Sequence, residues 1–580
     1  MPPTRLLAHL LATLAILHAG AVLAQQQDDT DDPDEPAALS QSERPAEGDL
    51  PDQALSESVL YEFLLGEIAL QRGSAGLSAQ TYVDLAKRTR DPRIARRALE
   101  IAAFARLPTF QIEAARIWHE SDPKSPGALQ ALAGLLVGAR RTDEAEPYLE
   151  KLLAHDGTAA PNGFMQLNRF LNANPDRAAN LRMVQRLAEK YPNLEQADFA
   201  VAQAAFAAND EALALQAIRR AAAKRPDWEV AAIFEAQILQ RKAPDAAAQR
   251  LSGFLEKNPG SREVRLNFAR VLVGMRKYAE ARTEFQALLA ANPNNTEVIY
   301  SVGLLAVQLK DFDIAEANLK RLLELGFRES NSVRLTLGQI AEEKKDWQGA
   351  LEWYRQVGRG EQFLPARLRH AQVLARQGKL DEARGFLRNL DVGGAQQVQV
   401  VVAEAQLLRE ANQHQEAFSV LGKALEGQPD QPELLYDHAL TAEKLENFAV
   451  LEANLRKLIQ ARPDHAHAYN ALGYSYADRN IQLPEARKLI ERALELAPDD
   501  FYIVDSMGWV LYRMGDIKGA LEQLRRAYDG RPDGEIGAHL GEVLWVSGAR
   551  DEAERIWKEA LEAHPGNETL QKTIKRFKRP

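Results

Sequence analysis

Residues 464–498 read DHAHAYNALGYSYADRNIQLPEARKLIERALELAP. Tyr469, Leu472, Gly473 and Tyr476 fall at i, i+3, i+4 and i+7, one face of a helix. Ala486 and Ala493 stand on a second helix. Pro498 stops it, because proline has no amide hydrogen and its ring clashes with the preceding turn. The arrangement recurs: Pro463, Pro498, Pro532 and Pro565 are 35, 34 and 33 residues apart. Two helices can cross closely only where side chains are small. Gly473, Gly508 and Gly541 are therefore expected at the crossings of the first helices, and Ala486, Ala520 and Ala553 at those of the second. One such pair cannot bury its apolar face alone, so this period predicts a stack of pairs.

This pattern resembles the tetratricopeptide repeat. The resemblance implies an all-α, right-handed superhelical solenoid with a binding or scaffolding role. Going outward from Asp464, terminal prolines recur at Pro192, Pro226, Pro259 and Pro293, spaced 34, 33 and 34 residues. Earlier pairs end at Pro92, at Pro123 and, more loosely, near Gly157. Pro429 is 136 residues beyond Pro293, four times 34, so three boundaries lie hidden near Phe327, Glu361 and Ala395. The count from Leu55 to Pro565 is about fifteen helical pairs, followed by a capping helix from Glu568. The arms are read as residues 55–357 and 401–565, with residues 566–580 as capping helix and basic tail. Between the arms, residues 358–400 are irregular. Gly358, Gly360, Gly393 and Gly394 flank a short unit that is either a joint or a degenerate repeat. Val398 to Val402 is β-branched enough for a strand by propensity, but VVAEAQLLRE (401–410) continues the helical register and is expected to be helix.

The chain has 580 residues, too many for one core, and a solenoid resolves this because each unit contacts only its neighbours. A formal charge of -10 argues against general nucleic-acid binding. Arg5, the apolar run Leu6–Leu17 interrupted by His9, and Val22-Leu23-Ala24 read as an export signal (1–24) cut before Gln25. An uncleaved anchor is the alternative, and the expected location is the periplasm. Residues 25–54 are acidic, with Asp28, Asp29, Asp31, Asp32, Asp34 and Glu35 in one cluster, and read as a disordered leader. With no cysteine there is no lipid anchor on a cysteine, no disulfide and no Cys-based metal site.

No catalytic constellation emerges: the sequence has no phosphate-cradling glycine loop, nucleophile elbow or His-Glu-x-x-His. Enzyme activity and a cofactor are not expected. His465 and His467 stand two apart at a helix start, point to different sides and make a poor metal pair. The basic tail (Lys572, Lys575, Arg576, Lys578 and Arg579) reads as a solvating cap, with a docking site as the sharper alternative.

The better signal is an aromatic stripe. In FYIVDSMGWVLYRMG (501–515), Val504, Gly508 and Leu511 form the packing face at 100° per residue. Tyr502, Asp505, Trp509, Tyr512 and Arg513 cluster away from it, toward the expected concave side. Tyr474 and Trp545 occupy equivalent places in the units before and after, and Glu542 joins them. Such a wall suits an extended segment or a partner helix. The opposing reading is that Trp509 and Tyr512 pack on the adjoining unit. Tyr469 and Tyr476 are expected in the core. The places where chaperone-binding tetratricopeptide domains need Lys and Asn to clamp two carboxylates hold Asn470, Tyr474, Asp505 and Trp509, which disfavours that ligand.

The runs ALGYSYADRN (471–480), LIERALELAPDD (489–500), DSMGWVLYRMG (505–515) and AHLGEVLWVSGARDEAERIWKEAL (538–561) look like one particular group. LLGEIALQRG (64–73) and AKRTRDPRIARRALEIAAFAR (86–106) agree. This is the group of large tetratricopeptide proteins of the Gram-negative envelope, which includes the lipoprotein adaptor of a carboxyl-terminal processing protease. The resemblance implies a scaffold that brings that protease to cell-wall hydrolases, with self-association left open by the solenoid's exposed ends. The chain departs from that adaptor in having no cysteine to carry a lipid. A structural subunit of an envelope polysaccharide-export or secretion assembly is the alternative role.

Overall fold

The computed structural model describes residues 51, 56–154, 159–172 and 174–578. The expected export signal, the acidic leader apart from Pro51, Gly157 and Arg579 lie outside them. Every element of the described residues is a helix. The chain divides into two compact units, Met1–Leu325 and Gly326–Pro580.

In the first unit eight pairs follow one another: α1 (Glu57–Gln71) with α2 (Ala75–Thr89), α3 (Pro92–Phe104) with α4 (Pro108–Ser121), α5 (Pro126–Gly138) with α6 (Thr142–Ala154), α7 (Ala159–Leu171) with α8 (Arg177–Glu189), α9 (Glu195–Ala207) with α10 (Glu211–Lys224), α11 (Glu229–Gln240) with α12 (Pro244–Lys257), α13 (Arg262–Gly274) with α14 (Tyr278–Ala291), and α15 (Thr296–Gln308) with α16 (Phe312–Glu324). The second unit holds seven: α17 (Ser330–Glu343) with α18 (Trp347–Arg355), α19 (Phe363–Arg376) with α20 (Leu380–Arg388), α21 (Ala395–Glu410) with α22 (His414–Gly427), α23 (Pro432–Lys444) with α24 (Phe448–Ala461), α25 (Ala466–Asp478) with α26 (Leu483–Leu496), α27 (Phe501–Arg513) with α28 (Ile517–Gly530), and α29 (Gly534–Val546) with α30 (Arg550–Ala563). A single helix, α31 (Glu568–Phe577), closes the series.

Nine of the helix-ending prolines act as expected, whereas Pro92 opens α3 as its first residue, after Arg90 has ended α2 at a left-handed φ of 53°. Asp122, Arg225, Asn258, Asn292, Gln428, Arg462, Ala497, Arg531 and His564 each precede a proline, and each leaves the helical region, with φ between -149 and -131° and ψ between 61 and 91°. A proline's Cδ disfavours α geometry in the residue before it, so the helix ends there. The three boundaries that lack a proline fall in the connections 325–329, 356–362 and 389–394, which include or adjoin Phe327, Glu361 and Ala395. At the first of these Gly326 takes φ +72°, a left-handed turn that ends α16 without a proline.

The division between units falls at that glycine, whereas residues 358–400 lie inside the second unit. Their irregularity is one of length: α18 and α20 have nine residues each, against fourteen in α26, α28 and α30. Val398 to Val402 is helical within α21.

Packing follows the small residues. A Cβ on Gly473 would stand 2.7 Å from Ile490 Cγ1 and 2.9 Å from the carbonyl oxygen of Ala486. One on Gly508 would meet Leu524 Cγ at 2.5 Å, and one on Gly541 would enter the indole of Trp557. Ala486, Ala520 and Ala553 are fully buried. Tyr476 is buried and Tyr469 half-buried against the same core.

Candidate partner-binding wall

In the second unit, α25 packs directly on α27, α27 on α29, and α29 on α31, so the first helices form a continuous layer. The Tyr474 hydroxyl of α25 stands 3.4 Å from Nε2 of His539 on α29, reaching past the intervening repeat. A side chain spans two repeats only on the inner side of a bend, so this layer is the concave wall of the unit.

At its centre lies His539, buried with Asp505. His539 Nδ1 lies 2.9 and 3.1 Å from the two Asp505 carboxylate oxygens, and the imidazole stacks on Trp509 at 4.3 Å between centroids and 25° between planes. Burial pushes the imidazole pKa down, but the Asp505 carboxylate outweighs it and holds the pKa above the ordinary histidine value. Asp505 therefore favours the protonated imidazole, whose Nδ1–H donates to the carboxylate. The cluster joins α25, α27 and α29.

The stripe expected at this wall divides. Trp509 is 5 % exposed, wedged against His539 and Tyr512 with Arg513 over its ring at 5.8 Å. For this residue the packing reading holds, because the bend brings α29 onto the face that a single helix would leave open. Asp505 and Glu542 are likewise buried and committed. Glu542 accepts from Tyr512 at 3.3 Å and pairs with Arg576 of the capping helix, and burial raises its pKa despite that arginine. Trp545 stacks on Trp557 at 5.6 Å and lies 6.4 Å from Phe577, so it serves the cap and not an open groove. Tyr474 is half-buried, and burial raises its hydroxyl pKa well above the usual value.

What stays available is Tyr502, 41 % exposed, with Arg531 over its ring at 4.6 Å, together with the outer edges of Tyr512 and Arg513. Arg513 also donates to the Asp478 carbonyl at 3.2 Å.

Three residues at this site were not singled out from the sequence: His539 and Glu535 on α29, and Glu443 on α23, within electrostatic reach of Glu535. Both glutamates are half-buried, burial raises their pKa values, and neither carboxylate is in an ion pair among the described residues. A signal for His539 was present. Asp505 and His539 are 34 residues apart, as are Glu542 and Arg576, and Glu342 and Arg376. Opposite charges one repeat period apart on first helices mark inter-repeat ion pairs.

The tail behaves mainly as a cap. Leu570 and Thr573 of α31 are buried, Lys572 and Lys575 are exposed, and Arg576 and Lys578 pair with Glu542 and Glu554. His465 caps α25, its Nδ1 accepting from the Ala468 amide at 3.1 Å, and His467 lies 3.9 Å from Asp500. Among the described residues no group of three His, Cys, Asp or Glu is placed to hold a metal ion, and no helix is long and apolar enough to cross a membrane.

Family models described as tetratricopeptide repeat match residues 239–304, 300–362, 436–501 and 506–568. The chain is 35% identical over 532 residues to TPR repeat-containing protein PA4667 of Pseudomonas aeruginosa, covering 90% of this chain and 89% of that one. It is 24% identical to cellulose synthase operon protein C of Pseudomonas fluorescens, over 80% of this chain and 38% of that one. A solved tetratricopeptide repeat protein from Parabacteroides merdae aligns over 43% of this chain and 100% of its own, at 17% identity and a TM-score of 0.35.

Proposed function

This chain belongs to the tetratricopeptide-repeat family, whose repeats form protein-interaction scaffolds, and on that premise we propose that it is a non-enzymatic adaptor of the bacterial envelope. It holds a segment of a protein partner on the first-helix wall of its second unit and brings a carboxyl-terminal processing protease to cell-wall hydrolases. The observation that carries the wall is its composition. Exposed Tyr502 and the edges of Tyr512 and Arg513 share one layer with Glu535, and Glu443 of α23 lies within electrostatic reach of Glu535 and Tyr474; both are recessed carboxylates with no ion-pair partner among the described residues. Aromatic area with polar handles beside unpaired charge suits a polypeptide better than a small apolar ligand. The export-type N-terminus supports a periplasmic location, and the likeness of the terminal runs to the envelope adaptors supports the protease partner.

The test is co-purification from periplasm of the wild-type chain and of a Tyr502→Ala, Tyr512→Ala variant. The wild type is expected to retain a processing protease and a hydrolase, and the variant to lose them with its helicity unchanged. Equal capture by the variant contradicts the wall, and capture without a protease contradicts the adaptor role. A second reading, a subunit of a polysaccharide-export assembly, is favoured by the alignment with cellulose synthase operon protein C. Polysaccharide-assembly proteins in the capture would support it.

A further inference from the structure

The first helix of the described residues is built inside out. On α1 the large apolar side chains Leu60, Tyr61, Phe63, Leu64 and Ile68 face outward, between 43 and 66% exposed. Two of its three carboxylates turn inward: Glu62 pairs with Arg88, and Glu67 accepts from the Tyr82 hydroxyl at 2.5 Å and from Arg97 at 3.4 Å. A terminal helix of a solenoid ordinarily presents a polar outer face to water. The opposite end does so, with Glu568, Gln571, Lys572 and Lys575 exposed on α31.

The outward set needs a cover, and the sequence just before α1 is poor in apolar side chains. Residues 25–55 carry ten acidic side chains and only three large apolar ones, Leu39, Leu50 and Leu55. The face does, however, complement itself. Leu60, Leu64 and Ile68 lie at i, i+4 and i+8, a ridge inclined by about 26° to the helix axis and centred on Leu64, which is the middle residue of α1. About a two-fold axis through Leu64 a second α1 lies antiparallel, Leu60 meets Ile68 of its copy, and Leu64 meets itself. The same operation brings Glu57, seven residues before the centre, beside Arg72, eight residues after it. Both ends are exposed, and neither charged group is in an ion pair among the described residues.

We infer that α1 is a homodimerisation helix, paired antiparallel with α1 of a second copy of this chain. Five half-exposed large side chains offer roughly 400–500 Å² per chain, about half of the ~800 Å² that each partner contributes to a standard interface. The dimer is therefore concentration-dependent and not obligate.

Sedimentation of the purified full chain between about 1 and about 100 µM is expected to show mass rising from one chain to two. Leu64→Glu is expected to weaken association at least about tenfold. Because the chain has no cysteine, Leu64→Cys supplies a single thiol on the axis. Mild oxidation is expected to convert most of that variant to a covalent dimer, whereas Lys558→Cys, exposed on α30, stays monomeric. The thiol variant leaves the face apolar, so it decides the matter even if Leu64→Glu fails to fold. A wild-type chain that stays monomeric across the range overturns the inference. So does a dimer indifferent to Leu64→Glu, or a Leu64→Cys chain that crosslinks no better than the Lys558→Cys control.

Discussion

Gly508→Ala and Gly385→Ala are the same substitution in helix interiors of one unit, and the structure gives them opposite signs. In an open helix interior, replacing glycine with alanine stabilises by up to about 1 kcal/mol, because glycine loses more backbone freedom on folding. Gly385 sits in α20, where an added Cβ would meet nothing within 4 Å, so it should show this gain in full. At Gly508 the new Cβ would lie 2.5 Å from Leu524 Cγ, 2.9 Å from Leu524 Cδ2 and 3.1 Å from the Leu524 backbone nitrogen. The Leu524 side chain is itself fully buried, and the backbone of α28 cannot withdraw alone. Overpacking of this kind costs about 1–3 kcal/mol, and two contacts below 3.0 Å place it at the upper end. The net expectation is a loss of about 1–2 kcal/mol at Gly508. The assay is urea unfolding followed by helical circular dichroism, with hydrogen exchange of the 501–530 segment to localise the effect. A Gly508→Ala chain as stable as the wild type would show that close approach does not set the repeat spacing.

Four other outcomes are expected. Trp509→Ala should destabilise the second unit by about 3 kcal/mol, whereas Tyr502→Ala changes stability by less than about 0.5 kcal/mol; thermal melts of the two variants separate packing from open surface. Glu404 is buried and held by Arg384 and Arg388 at 3.1 and 2.7 Å; in Glu404→Ala, Arg384 keeps Glu416 at 2.7 Å and Arg388 stays half-exposed, so the loss in urea unfolding should be about 1–2 kcal/mol. His539 has its folded pKa above the ordinary histidine value, and burial likewise raises the Glu535 and Glu542 carboxyls. Each raised group contributes stability that is full below its unfolded pKa and is lost as pH rises through its folded pKa, so the unfolding midpoint should fall as pH rises beyond the ordinary histidine range, less steeply in His539→Gln. Lys310 closes the α15–α16 turn at φ +60°, and Lys310→Gly should raise stability by about 0.5 kcal/mol, relief of left-handed strain exceeding the added freedom of the unfolded chain.

The fold was legible because its determinants are local and periodic. Gly473, Gly508 and Gly541 mark helix crossings, and the residue before each helix-ending proline marks a stop. The register carried across three boundaries with no proline. The functional surface was legible only in part. A helical wheel gives the direction in which Trp509 or Trp545 points, but it does not say where the next helix comes to rest. The bend sets α29 against Trp509, and α31 with Phe577 against Trp545. Tyr502, near the start of its helix, escapes that closure. Within its own helix His539 carries no signal, and its meaning appears only with Asp505 one period earlier.

The proposed binding mode holds partners on the inner first-helix layer and not on the outer second helices. A photo-crosslinking residue placed at Tyr502, and separately at exposed Glu522 on α28, tests it within one repeat. Crosslinked partner peptides identified by mass spectrometry should come from the position 502 chain and be absent from the position 522 chain. Equal trapping at both positions, or trapping at 522 alone, would contradict the account.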